Sequence, residues 1–218
     1  MPGLYDDTLA RALHRSVKRG PQMTDGVITA PAEMLTYGRE FYFVNWDFGT
    51  RKDWMTGYGL DNNASILVVG CGFGFLIEEL IAVGITDVYG IEPGSFYWDA
   101  AQDAEWDTAV KARVANDWIG SGTEVASLNA LGVSGQARFN WVVDEDAATM
   151  HSDAELPAFI AGCEDRLQGN ARGRIVHLVT TVGPYGPGNQ AVNWKSLAEW
   201  KAVEPAHTWV DIRTGEVG

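Results

Sequence analysis

Three features of this chain predict an α/β fold, a doubly wound and mostly parallel sheet of Rossmann-like type. Short apolar runs of strand character alternate with amphipathic helical patterns over short links. The run Ile66-Leu67-Val68-Val69 passes directly into Gly70-Cys71-Gly72-Phe73-Gly74 and then into helical periodicity. A second run, Val88-Tyr89-Gly90-Ile91, ends in a carboxylate, Glu92, about twenty residues after the glycine turn, the spacing of a ribose-binding acid.

From the N-terminus, residues 6–19 read as a helix capped by Asp6 or Asp7, with Leu9, Leu13 and Val17 on one stripe, and Gly20-Pro21 ends it. Residues 35–60 are rich in aromatics without a clean period. They read either as a cap over one sheet edge or as a lid over a ligand, with Tyr37, Tyr42 and Trp54 placed to touch it. The chain thus divides into an N-terminal helical and aromatic segment, 1–60, and a Rossmann-like domain, 61–218, within one compact unit.

Strand one is expected at 65–70. Leu76, Ile77, Leu80 and Ile81 form the buried face of the helix after it, with Glu78 and Glu79 turned away. Strand two is expected at 87–91 and a helix at 95–105. Residues 113–119 read as a short third strand or strand end, and 120–136 as a loop around a short helix. Phe139-Asn140-Trp141-Val142-Val143 is the fourth strand, running into Asp144-Glu145-Asp146. Leu156, Phe159, Ile160, Cys163 and Leu167 make a helical core stripe. Ser152-x-x-Glu155 has the capping-box pattern, and Pro157 argues instead for a start at Asp153. Strand five, 175–179, is apolar except for His177, which reads as a satisfied core histidine. A glycine- and proline-rich loop, a helix at 194–203 and a last strand at 208–213 complete the order. With a single strand candidate at the end, the sheet is shortened at its C-terminal edge. That edge is either open or covered by a second copy or another partner.

The glycine pattern is G-x-G-x-G. The dinucleotide pattern G-x-G-x-x-G fails because its third position is Phe75. Val68-Val69-Gly70-Cys71-Gly72-Phe73-Gly74 and Gly90-Ile91-Glu92-Pro93-Gly94 resemble the first and second motifs of the class I S-adenosylmethionine-dependent methyltransferase family. The resemblance extends over roughly residues 60–182. It implies S-adenosylmethionine as cofactor, cradled by Gly70, Cys71, Gly72 and Gly74, with Glu92 on the ribose hydroxyls and Pro93 beside it. It implies a polar residue after strand three for the adenine amino group, followed by a backbone N–H for a ring nitrogen. Asp117 with Trp118 suits that role and Asn116 is the alternative, while Asn-Asp also favours a plain turn. Tyr37 is the lid residue expected on the cofactor.

Methyl transfer from a sulfonium asks the protein to align the nucleophile and exclude water, with a base where the nucleophile is a hydroxyl. The carboxyl end of strand four should face the reactive end of the cofactor. Asp144 is expected there, on the cofactor side and in catalysis, with Asp146, and His151 is the expected base. The other reading of His151 is an exposed residue ahead of a helix. No metal is expected, since a short acidic run is ordinarily solvated.

Composition narrows the classes further. With 46% hydrophobic and 21% charged residues the chain is ordinary globular protein. No apolar run is long enough to cross a bilayer, and the start has no basic-then-apolar leader pattern. Cys71 and Cys163 are the only cysteines, and a reducing cytoplasm is the expected compartment. The net charge of −13 argues against a nucleic-acid substrate, as does the sequence Asp144-Glu145-Asp146-Ala147 where DNA amino-methylases carry Asn/Asp-Pro-Pro-Tyr/Phe. Arg11, Arg15, Lys18 and Arg19 on the first helix read as a solvated face or partner contact. Three classes stand: a methyltransferase acting on an O or N atom of a small molecule or protein; a binding or scaffold protein that keeps the fold without turnover; and an NAD-type oxidoreductase, which the glycine spacing disfavours.

Overall fold

The computed structural model describes residues 23–24, 27–28, 55–57, 59–72, 74–93, 108–169, 174–179, 193, 195–211 and 215–218. The expected helices at 6–19 and 95–105, most of the aromatic segment including Tyr37, Tyr42 and Trp54, and the loop at 183–188 lie outside them.

The body is a six-stranded sheet. Its strands are β1 (Ser65–Val69), β2 (Asp87–Ile91), β3 (Val114–Ala115), β4 (Trp141–Glu145), β5 (Arg174–Val179) and β6 (Thr208–Asp211). Their order is β3-β2-β1-β4-β5-β6, with every pairing parallel. The order reverses between β1 and β4, which places the switch point of a doubly wound sheet at their carboxyl ends. A separate two-residue antiparallel pair joins Met23–Thr24 to Val27–Ile28.

The strands read as continuous apolar runs because both faces are covered. Ile66, Val68, Val88, Val143, Val176, Leu178 and Val210 face one layer with the helix α1 (Phe75–Ala82) and with Val110 of α2 (Thr108–Lys111). Leu67, Val69, Ile91, Val142, Ile175, Val179 and Trp209 face the other. There they meet Leu128 of α3 (Glu124–Ala130), the stripe of α4 (Leu156–Arg166) and Trp200 of α5 (Leu197–Val203). The expected α/β class and strand sequence are therefore present.

Several boundaries differ. β3 is two residues long, and β4 begins two residues later than expected, while Phe139 only bridges to Leu167. Glu79 is buried, not turned away. The helix α4 begins at Leu156, not Ser152 or Asp153. The Glu155 carboxylate accepts from the Ser152 N–H (2.8 Å) and hydroxyl (2.7 Å), so this motif builds a turn before the helix. Pro157 follows in the first turn, where no N–H is needed.

The outer edge of β6 is neither left bare nor dependent on another subunit along its whole length. Val217 bridges antiparallel to Val210. The Asp211 N–H donates to the Glu216 carbonyl and the Gly218 N–H to that of Trp209, each at 2.9 Å. No helix among the described residues is long and apolar enough to cross a membrane.

Candidate functional site

At the end of β1 the chain turns through Gly70, Gly72 and Gly74, all in the left-handed region (φ +68°, +51° and +74°). Left-handed positions at every second residue of a turn are nearly free only for glycine. The Gly70 N–H donates to the Ile91 carbonyl at 2.9 Å, and the turn closes with the Gly74 N–H on the Cys71 carbonyl at 2.7 Å. Space demands glycine too. An ideal Cβ on Gly70 would lie 2.6 Å from Ala147 Cβ, and one on Gly74 2.5 Å from Val110 Cγ1. At these two positions the close approach is to the protein's own chain.

Gly72 makes a different contact. Its N–H donates to Glu92 Oε2 at 3.0 Å, so the glycine turn and the acid at the end of β2 meet directly. Glu92 is buried, and its own N–H donates to the Ala115 carbonyl of β3 at 3.0 Å. Pro93 is exposed. Cys71 is buried with its thiol pushed well up, first by burial and then by the charges of Glu92 and Glu145. It is packing, not a nucleophile.

After β3, Asp117 is buried and its carboxylate is engaged. Oδ1 accepts the Trp118 N–H at 2.9 Å, and Oδ2 accepts the hydroxyls of Thr123 (2.8 Å) and Ser127 (2.7 Å). Burial alone would raise its pKa. Hydrogen bonds from Ser127, Ser121, Thr123 and Trp118 outweigh that and hold the carboxyl below its ordinary value. Asp117 thereby ties the end of β3 to the start of α3. Its neighbours Asn116 and Trp118 stand exposed, Trp118 at 58%, and offer an amide and an indole face at the carboxyl edge.

The end of β4 departs most from expectation. Asp144 is fully buried. Its Oδ1 accepts the Ala147 N–H at 2.7 Å, and both oxygens lie 3.3 Å from the Ala148 N–H. Oδ2 lies 2.8 Å from His177 Nδ1. The parallel register sets Asp144 opposite His177, and the carboxylate, expected on the cofactor side and in catalysis, is taken up by internal bonds. Asp144 thereby holds the turn after β4. His177 has the polar partners a core histidine needs, Asp144 and His207 (Nε2 to Nδ1, 3.1 Å). His207 and Glu164, which complete this row, carried no sequence signal beyond the need of His177 for partners.

Asp146 adopts a left-handed conformation (φ +63°) and opens the 3-10 turn Ala147–Met150. Its N–H donates to the Leu178 carbonyl and its carbonyl accepts the Thr149 hydroxyl. His151 follows, half-buried, with its ring against Phe159 at 4.5 Å between centroids. Among the described residues no cluster of side chains could hold a metal ion.

The 70–74 turn, Glu92, Asn116, Trp118, Asp146 and His151 all follow the carboxyl ends of adjacent strands. No family model and no curated protein matches the chain. Among solved structures it is similar to a Burkholderia thailandensis 1,6-didemethyltoxoflavin-N1-methyltransferase with 1,6-didemethyltoxoflavin and S-adenosylhomocysteine bound. That similarity is at 18% identity and TM-score 0.48, covering 86% of this chain and 84% of that one. For an S-adenosylmethionine-dependent methyltransferase from Clostridium acetobutylicum the identity is 14% and the TM-score 0.49, covering 68% and 57%. For the glycopeptide N-methyltransferase MtfA they are 16% and 0.42, covering 59% and 51%. The chain thus spans little more than half of the latter two, and the likeness is one of architecture.

Proposed function

We propose that this protein binds S-adenosylmethionine at the 70–74 turn and transfers its methyl group to an O or N atom of a small molecule or protein. The observation that carries the reading is the 3.0 Å contact between the Gly72 N–H and Glu92, at the switch point of the sheet. It puts a buried carboxylate and a Cβ-free backbone side by side, as a ribose with two hydroxyls beside a glycine turn requires. The exposed Trp118 and Asn116 supply a flat apolar face and an amide for a purine one strand further out.

When bound, the cofactor supplies a methyl group on a positively charged sulfur. The chain's own residues do the rest. Glu92 accepts hydroxyl hydrogens, and the carboxyl edge of β1 and β4 fixes the direction of approach. His151 is the group near that edge able to take a proton from an acceptor. The net charge of −13 disfavours a polyanionic acceptor. A second reading, a binding protein without turnover, is favoured by one observation: Asp144, the carboxylate nearest in sequence to the acceptor side, is consumed by internal bonds.

Calorimetry with S-adenosylhomocysteine tests the binding. A charge-assisted bond contributes on the order of 1.5–3 kcal/mol, so Glu92→Ala should weaken affinity at least about tenfold. It should also narrow the discrimination against a 2′-deoxy analogue. Gly72→Val should abolish binding. Equal discrimination by wild type and Glu92→Ala, or NAD binding in place of S-adenosylhomocysteine, would sink the reading. Binding without methyl transfer to any screened metabolite or lysate protein would favour the second one.

A further inference from the structure

Past the end of β3 the chain alternates in burial one residue at a time. Ala115, Asp117 and Ile119 are buried, and Asn116 and Trp118 between them are exposed. That is the period of an extended chain, whose successive side chains leave on opposite sides. The buried set is committed to the layer of α3 and α4. Ala115 and Ile119 pack in its core. Asp117 accepts the hydroxyls of Thr123, just before α3, and of Ser127 within it. Gly162 of α4 leaves room for this approach, since a Cβ there would collide with Ile119 Cγ2 and stand 3.2 Å from Gly120 N. The exposed set continues the face of Val114, which borders the glycine turn: a Cβ on Gly74 would lie 3.8 Å from Val114 Cγ2.

Register relates this face to Glu92. Ile91 of β2 pairs with Ala115, and the Glu92 N–H donates to the Ala115 carbonyl at 3.0 Å. Glu92 and Asn116 therefore leave neighbouring strands side by side. With the ribose on Glu92, the base falls to the next strand, where Asn116 stands.

The two groups that the sequence leads one to expect for a purine edge are a carboxylate for the amino group and a backbone N–H for the ring nitrogen. In this protein they bond each other, the Trp118 N–H donating to Asp117 Oδ1 at 2.9 Å. With two hydroxyls on Oδ2, the Asp117 carboxylate already holds three donors. The Asn116 amide makes no hydrogen bond among the described residues, and it presents a donor and an acceptor together.

We propose, on the footing of the function proposed above, that the Asn116 amide reads the purine edge of the cofactor while Asp117 is a positioning residue that holds the turn. The consequence is a choice of base. An aminopurine offers an N–H donor beside a ring-nitrogen acceptor, and a 6-oxopurine offers the reverse, an oxygen acceptor beside a ring N–H. A carboxylate paired with a fixed N–H fits the first pattern and opposes the second. An amide fits both, because half a turn about its bond exchanges donor and acceptor. The Trp118 indole, exposed two residues on, adds a stacking surface that does not distinguish the two bases. The site thus takes the 6-amino and the 6-oxo forms of the cofactor alike.

The experiment is calorimetry of the full chain with S-adenosylhomocysteine and with its 6-oxo counterpart, S-inosylhomocysteine. Wild type should bind the two within about fivefold of each other. Asn116→Ala, a change at an exposed position, should weaken both by about fivefold or more and by the same factor. Asp117→Asn should leave the ratio of the two affinities where it is in wild type. A larger preference of wild type for either form overturns the proposal. So does an Asn116→Ala variant that binds either ligand as wild type does, or a ratio that shifts in Asp117→Asn. Wild type that binds neither ligand overturns the proposed function and this reading with it, whereas binding of the 6-amino form alone overturns this reading and leaves the proposed function standing.

Discussion

Gly90 stands opposite Val68 in the pairing of β1 and β2, and what it provides is room rather than conformational freedom. An ideal Cβ there would lie 2.6 Å from both Cys71 Sγ and Ile77 Cδ1. The thiol of the glycine turn and the first buried residues of α1 therefore close over a notch in β2. Gly90→Ala should cost about 1–3 kcal/mol by overpacking, seen as a lower urea midpoint at unchanged slope. Adding Cys71→Ala should recover part of the loss and leave the Ile77 contact. The residue scale also settles what each glycine of the turn is for. Gly70 and Gly74 admit Ala147 and Val110, and Gly72 is the one whose N–H meets Glu92.

The helix α5 has both its N-terminus and its buried face specified. Ser196 accepts the Glu199 N–H, and the Glu199 carboxylate accepts the Ser196 N–H at 2.7 Å, a complete capping box. The helix carries Trp200, which stacks on Trp209 over the buried histidines. Ser196→Ala should cost about 1 kcal/mol, a fall of about 2–4 °C in Tm for a chain of this size, followed by thermal denaturation. Ser152→Ala should cost less, since Ser152 gives its hydroxyl hydrogen to Glu155 and caps no helix N–H. The two motifs read alike in sequence as S-x-x-E. Pro157, one residue into α4, separates their outcomes.

For the whole molecule, the buried row makes stability depend on pH. His207 is lowered from 6.5 to about 4, chiefly by burial, so the folded state prefers the neutral ring. Its contribution is complete above the unfolded value of about 6.5 and is lost as pH falls through about 4, because the unfolded chain takes up a proton first. The loss amounts to about 3 kcal/mol at most. Urea unfolding at pH 7 and pH 4 should show a smaller difference for His207→Gln than for wild type; an equal or larger difference would place the acid sensitivity elsewhere. At this scale the sheet edge also matters. The return of Glu216–Gly218 along β6 uses hydrogen bonds that would otherwise offer themselves to another strand.

The local and periodic features were legible in the chain itself. The strand entering a glycine turn, the carboxylate ending the second strand, the core stripe of α4 and the α/β alternation all depend on residues within one or two elements, and there side-chain spacing sets burial directly. The destination of Asp144 was not legible. Its neighbour across the sheet is His177, thirty-three positions away, and His207 and Glu164 come from the approach to β6 and from α4. Alternation along a strand says which side chains share a face, but not which strand lies alongside or in which register. The same limit applied to the end of the sheet, where the covering residues 216–218 carry no strand pattern of their own. Sequence alone therefore determined the glycine turn after β1 and the carboxylate at the end of β2, which meet at Gly72. Strand order and register decided that Asp144 turns inward to a histidine row, because that pairing is made between elements and leaves no trace in the spacing within either.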